Sequence, residues 1–142
     1  MKHLFAALAL ATLAAPALAQ MTPVGVWNSI DDNTGEAKAE IRIVDNGGAL
    51  SGRIEKTLRP GAKTECTECT DDRKGQPIAG LEIIRGGRQA DGKEVWEGGK
   101  ILDPENGKEY RATFTPIEGG KELQVRGFIG PFFRTQVWKR VQ

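Results

Sequence analysis

The chain has 142 residues, with 20 basic and 19 acidic side chains and a formal net charge of +1. Its first 19 residues read as a secretion signal, and because Lys2 is the only Lys or Arg among them, the remaining chain is neutral. A neutral chain lacks the basic surplus that nucleic acid or an anionic membrane selects as a main partner. The single histidine, His3, leaves with the signal, so the mature chain has no imidazole for general-base, nucleophilic or metal chemistry.

Met1-Lys2-His3 is a short positive start, Leu4 to Ala15 is apolar, and Ala17-Leu18-Ala19 is an A-x-A site that places cleavage before Gln20. The apolar run falls short of the ~20 residues of a spanning helix, and no later segment is apolar enough to cross a bilayer. No cysteine follows the cleavage site, which argues against lipid attachment there. The expectation is a soluble, exported protein whose residues 20–142 form one domain.

Short segments with period-two alternation follow, separated by glycine-containing turns. They lie near 24–29, 37–44, 49–58, 80–85, 93–102, 109–116, 121–129 and 134–141. Ala37, Ala39, Ile41 and Ile43 alternate with Lys38, Glu40 and Arg42, which gives one apolar and one charged face. Leu50, Gly52, Ile54 and Leu58 repeat the pattern, as do Leu123, Val125, Gly127 and Ile129. Asn46-Gly47-Gly48, Arg85-Gly86-Gly87, Ala90-Asp91-Gly92 and Glu118-Gly119-Gly120 supply the positive backbone angles that tight hairpins require. No stretch keeps a helical period for three turns. About eight sequential strands on short hairpins predict an all-β fold, a single antiparallel up-and-down barrel that closes its own sheet edges.

Residues 59–79 break this rhythm with Pro60, Pro77, many charges and the only two cysteines, and are expected as a surface excursion. Cys66 and Cys69 admit three readings. A redox pair needs a lowered thiolate pKa, which Glu65, Glu68, Asp71 and Asp72 oppose. A structural zinc site would have to draw its other ligands from carboxylates. A local disulfide in an oxidising compartment needs nothing further and is favoured. A loop this short contributes only ~2 kcal/mol in the chain-entropy model.

Pro23-Val24-Gly25-Val26-Trp27 opens the first strand, and its G-x-W resembles the start of lipocalin-type barrels. The resemblance implies structural roles for Gly25 and for Trp27, which would pack across the closed end under an arginine from the last strand, either Arg134 or Arg140. An ordinary buried tryptophan is the competing reading. Further along, Trp96-Glu97-Gly98-Gly99-Lys100-Ile101-Leu102-Asp103-Pro104-Glu105-Asn106-Gly107-Lys108-Glu109-Tyr110 is followed by Val125-Arg126-Gly127-Phe128-Ile129-Gly130 and Arg134-Thr135-Gln136-Val137-Trp138. With Pro77-Ile78-Ala79-Gly80-Leu81, this order resembles domain of unknown function family 2147, exported bacterial proteins, over Pro23 to Val141. The resemblance implies a compact lipocalin-like barrel in a secreted or periplasmic protein, with the periplasm favoured, and implies no activity, ligand or catalytic residue.

Asp103-Pro104-Glu105-Asn106-Gly107-Lys108 and Asp31-Asp32-Asn33-Thr34-Gly35-Glu36 carry oxygen ligands without the spacing of a calcium loop, and read as turns. The candidate ligand-binding set is Trp96, Tyr110, Arg126, Arg134 and Trp138. By alternation, Arg126 lies opposite the apolar face of its strand, whereas Trp138 shares a face with Arg134, Gln136 and Arg140. These residues form either a cavity wall that recognises an anionic group or an outer surface of cation and aromatic contacts; the structural role is favoured.

Enzyme chemistry has little to draw on. Ser29 and Ser51 are the only serines and have no histidine, Tyr110 is the single tyrosine, and no phosphate-binding glycine loop occurs. A carboxylate pair drawn from Asp31, Asp32, Asp71, Asp72, Asp103 and Glu105 is the remaining route to catalysis. The expectation is a non-catalytic barrel that binds a small amphipathic or apolar ligand, without cofactor or metal. The alternative is an accessory protein with a filled interior that docks on a partner, through the 59–79 excursion for example. An interior cavity above ~300 Å³ separates the two.

Overall fold

The computed structural model describes residues 21–142, so the expected secretion signal, with Lys2, His3 and the cleavage site, lies outside the described residues. The strands are β1 (Gly25–Ile30), β2 (Ala37–Asn46), β3 (Ala49–Thr57), β4 (Glu82–Arg85), β5 (Arg88–Gln89), β6 (Trp96–Asp103), β7 (Lys108–Ile117), β8 (Glu122–Ile129) and β9 (Phe132–Arg140). Every pairing is antiparallel, in the order β4-β3-β2-β1-β9-β8-β7-β6, and β4 returns to β6 to close the ring. The result is a closed barrel of eight strands, the architecture expected from the alternation.

One strand differs from expectation in an informative way. Ile84 and Arg85 of β4 face Ile101 and Lys100, and Arg88 and Gln89 of β5 face Glu97 and Trp96 in continuous register. Gly86-Gly87, read in the sequence as a hairpin turn, instead interrupts a single strand edge. Both glycines have positive φ, and the Gly86 N–H donates to Leu50 O at 2.9 Å. The hairpin proper follows at Ala90–Val95, where the Ala90 N–H donates to Val95 O at 2.9 Å, so β6 starts at Trp96 rather than near 93.

The inward faces supply the core. Ile41, Ile43, Leu50, Ile54, Ile84, Phe114, Leu123 and Trp138 are buried, while Arg42, Arg53 and Glu55 on the opposite faces are exposed. Leu58, assigned by alternation to the apolar face, is exposed, because β3 carries an extra residue between Ile54 and Lys56 that flips the alternation and turns Thr57, opposite Ala39, inward instead. At Gly52 a Cβ would lie 2.8 Å from the Ile84 side chain, so the close approach of β3 and β4 requires glycine.

One end of the barrel is shut by Trp27. Its Nε1–H donates to Pro23 O at 2.8 Å, and the Arg140 guanidinium stacks 4.1 Å from the ring centre. Arg140 also donates to three backbone carbonyls, through Nε to Gly120 O at 2.5 Å, Nη1 to Val24 O at 2.9 Å and Nη2 to Thr22 O at 2.7 Å. Arg140, not Arg134, therefore covers Trp27. Gly25 gives it room, since a Cβ there would meet Arg140 Nη1 at 2.4 Å. Toward the other end β1 and β9 part company. Their ladder consists of Trp27↔Arg140 and Asn28↔Lys139, extended by the bonds of Val26 to Val141 and Gln142, and β9 from Phe132 to Trp138 has no partner in β1.

Residues 59–79 run along the outside, with Cys66, Cys69, Arg73 and Ile78 buried. Cys66 and Cys69 form a disulfide with a Cα–Cα distance of 5.4 Å. The cystine loop sits on the β6–β7 turn so closely that a Cβ at Gly107, whose φ is 73°, would fall 1.8 Å from Glu68 O. Arg73 ties the segment to the wall. It chelates Asp71, reaches Glu109 of β7 at 2.6 Å, and donates through Nη1 to Glu82 O of β4 at 3.0 Å. Among the described residues no helix is long and apolar enough to cross a membrane.

Candidate functional site

The barrel is hollow. A cavity of about 750 Å³ opens at the end opposite Trp27 and Arg140. Its wall is apolar, with Ile41, Ile54, Ile83, Ile101, Val125 and Trp138 contributed by β2, β3, β4, β6, β8 and β9. Period-two geometry produces this wall, because each strand sends alternate side chains inward. Gly127 also lines it, and a Cβ there would meet nothing nearer than Tyr110 Cβ at 3.6 Å, so the missing side chain adds to the space.

The mouth carries polar groups. The exit from β3 brings Arg59 and Lys63, the β6–β7 turn brings Asp103, Glu105 and Asn106, and β9 brings Arg134 and Gln136. Arg59 Nη2 donates to Asp31 Oδ2 at 2.5 Å and Nη1 lies 3.6 Å from Glu105. Arg134 Nε donates to Asp32 Oδ2 at 2.7 Å. These arginines fix the charge state of the rim. Hydrogen bonding from Arg59, then from the Asn33 and Thr34 amides, holds Asp31 down at about 2, and Arg134 lowers Asp32 in the same way. Adjacent acids in one turn thus bind two different sides of the mouth.

The residues singled out in the sequence separate into three groups. Tyr110, Arg134 and Trp138 line the cavity; Trp138 Nε1–H donates to Gln136 Oε1 at 3.1 Å, and Asn106 Nδ2 donates to Tyr110 OH at 3.3 Å. Trp96 does not line it. A bulge between Trp96 and Gly99 sets Trp96 opposite Phe114, where it is buried in the core. Arg126 is on the outside, stacked 4.6 Å from the Phe133 ring centre with Nε donating to Thr135 Oγ1 at 3.0 Å. The five residues therefore do not form one site. Sequence reasoning missed Arg59, Lys63 and Lys38, which also lines the cavity. Lys38 sits on the charged side of the β2 alternation but is the extra residue where β2 bulges against Ser29 and Ile30 of β1, while Arg59 and Lys63 lie beyond any strand, where alternation has no meaning.

Among the described residues no group of three or more His, Cys, Asp or Glu side chains is arranged to hold a metal ion. Neither carboxylate whose pKa moves at the mouth moves upward, as a general acid would need.

Two solved structures resemble this barrel. Protein HP1028 from Helicobacter pylori, described as belonging to the lipocalin family, superposes with a TM-score of 0.72 at 12% identity, over 87% of this chain and 84% of that one. Secretory abundant heat soluble protein 4 from Ramazzottius varieornatus aligns over 87% of this chain and 98% of that one, with a TM-score of 0.43 and 13% identity. The first likeness establishes a lipocalin-like fold; the second is too distant to carry an argument. No curated protein matches the chain. The model of one protein family matches residues 25–140, and the chain accordingly belongs to DUF2147, the uncharacterized proteins conserved in bacteria.

Proposed function

We propose that this protein is an exported, non-catalytic carrier or sensor that takes one small amphipathic or apolar molecule into its barrel. The observation that carries the reading is the cavity of about 750 Å³, apolar in its depth and carrying both polar and apolar groups at its mouth. That volume lies within the ~300–1,000 Å³ typical of small-molecule sites and well above the threshold that favours a hollow over a filled interior. The lipocalin-like fold is consistent with it, since a barrel of this strand number that its own side chains do not fill has room for a single small ligand. Export into the periplasm is supported by the amino-terminal signal pattern and by the disulfide, which persists in an oxidising compartment. The non-catalytic reading is supported by Asp31 and Asp32, which hydrogen bonds from Arg59 and Arg134 hold ionised, so that neither has a proton to donate.

The test is native mass spectrometry on protein recovered from the exported fraction of its own host, followed by displacement of the fluorescent probe N-phenyl-1-naphthylamine. A reproducible adduct of small-molecule mass, released by organic solvent and competing with the probe, is the expected result. An adduct-free protein that neither takes up the probe nor changes after exposure to lipid extract would overturn the reading.

A further inference from the structure

The β8–β9 hairpin exposes an apolar run that the fold does not use. Among the large hydrophobic residues left in water, the three most exposed lie within five positions: Ile129 at 60%, Phe132 at 76% and Phe133 at 60%. Gly130 and Pro131 form the turn between them, and all three side chains border the cavity mouth. Scattered exposed hydrophobics need no explanation, but a contiguous tip of two phenylalanines and an isoleucine does.

The surface beside this tip is cationic. Phe128 and Phe133 pair with ring centres 6.1 Å apart on the outer face of β8 and β9. Arg126 stacks on Phe133 at 4.6 Å, and Arg111 from β7 lies 5.9 Å from the Phe128 ring. Neither arginine has an acidic partner among the described residues, whereas Arg59 and Arg134 at the same end are both neutralised. The overall charge balance of the chain conceals this, because none of the acids that offset these arginines in the total pairs with them.

We infer that the β8–β9 hairpin is a membrane-surface anchor, which seats Ile129, Phe132 and Phe133 among the acyl chains and Arg111 and Arg126 against anionic phospholipid headgroups. Apolar side chains at a tip with cations set back from it match the layering of a bilayer, hydrocarbon inside and phosphate outside. A second copy of the chain fits poorly. A symmetric contact through this patch would bring Arg111 and Arg126 of both copies together without an acid to offset them. Nucleic acid would use the arginines and leave the phenylalanines wet. The inference concerns the outer surface and stands whether or not the cavity is occupied.

The experiment is cosedimentation of the purified protein with vesicles of phosphatidylethanolamine plus phosphatidylglycerol, and with vesicles of phosphatidylcholine alone. Binding is expected to be stronger on the anionic vesicles and to weaken with salt. Arg111→Gln with Arg126→Gln should weaken binding to the anionic vesicles by roughly 30-fold, about fivefold per cation, and leave the phosphatidylcholine value unchanged. Phe132→Asp should abolish binding to both, and the milder Phe132→Ser should reduce it with an unaltered circular dichroism spectrum. Three results would overturn the inference: no sedimentation of the unmodified protein, equal sedimentation of the Phe132 variants, or a concentration-dependent dimer that Phe132→Ser dissolves and vesicles do not.

Discussion

Asp32 and Arg134 meet across the barrel mouth where the backbone ladder between β1 and β9 has already ended, with Arg134 Nε donating to Asp32 Oδ2 at 2.7 Å. A side-chain pair stands there in place of a strand pairing. The Arg134 side chain is 63% exposed, so the pair contributes little to stability, ~0–1 kcal/mol, and mainly keeps the rim in place. Arg134→Ala is expected to leave the urea midpoint nearly unchanged and to raise the rate at which a bound probe exchanges. Stopped-flow release of N-phenyl-1-naphthylamine measures it, and an unchanged rate would remove Arg134 from the rim's function.

Arg140 should behave in the opposite way. It serves three partly buried carbonyls and the Trp27 ring, and burial lowers its pKa, which marks it as desolvated. Arg140→Ala leaves those acceptors unmatched at the closed end and is expected to cost about 3 kcal/mol in denaturant unfolding. A loss under about 1 kcal/mol would show that the closed end holds without it.

Gly127→Phe tests the cavity without breaking the wall. Gly127 has no left-handed backbone requirement, and its inward direction is open. A ring there fills the space in which a ligand would sit. Stability should change by less than ~1 kcal/mol, while probe affinity falls about tenfold or more, equivalent to ~1.4 kcal/mol. Retained affinity in a folded variant would place the probe elsewhere.

Two glycine substitutions separate backbone strain from packing. Gly47 and Gly107 both have positive φ, but a Cβ at Gly47 meets nothing within 4 Å and one at Gly107 strikes Glu68 O at 1.8 Å. Gly47→Ala should cost about 1 kcal/mol of conformational strain. Gly107→Ala adds displacement of the cystine loop and should cost roughly 2–3 kcal/mol or more. Equal losses would show that the 59–79 segment is not seated on the β6–β7 turn.

Acid should loosen the protein in a defined window. Asp31 and Asp71 are held at about 2 against an ordinary 3.8, the first by Arg59 and turn amides, the second by Arg73 and its backbone N–H. Folded-state values below the unfolded ones mean that this stabilisation is complete above the ordinary value and is lost as pH falls through the folded one. The urea midpoint should therefore hold above about pH 5 and drop between about pH 4 and about pH 2. Asp31→Asn with Asp71→Asn should start lower and lose less over that interval. An identical acid profile in the double variant would assign the loss to other groups.

Much of the wall was legible in the sequence because strand burial follows a period of two. Ile41, Ile43, Leu123 and Val125 are inward as their spacing requires, and Arg126 is outward for the same reason. The rule fails where backbone geometry departs from a regular strand. Trp96 joins the core because of a one-residue irregularity before Gly99, and the Gly86-Gly87 pair interrupts a strand where a turn had been expected. The choice between Arg134 and Arg140 depended on which end of β9 each occupies, which alternation does not reveal because both lie on the same face. The cavity was not legible either. An inward isoleucine reads the same whether it meets another side chain or empty space, and only the assembled ring distinguishes them.

The parting of β1 and β9 bears on what such a barrel can hold. A tube sealed along its whole height sets a sharp length limit, because a guest must fit between floor and rim. Here the wall is seamed only near the floor, at Trp27 and Asn28, and above that level it is spanned by the Asp32–Arg134 pair. A guest of the proposed kind that is longer than the interior would pass out through the mouth, with its excess length at the surface beside Phe132. Affinity across a homologous series of chains should then rise to a plateau instead of collapsing at one length.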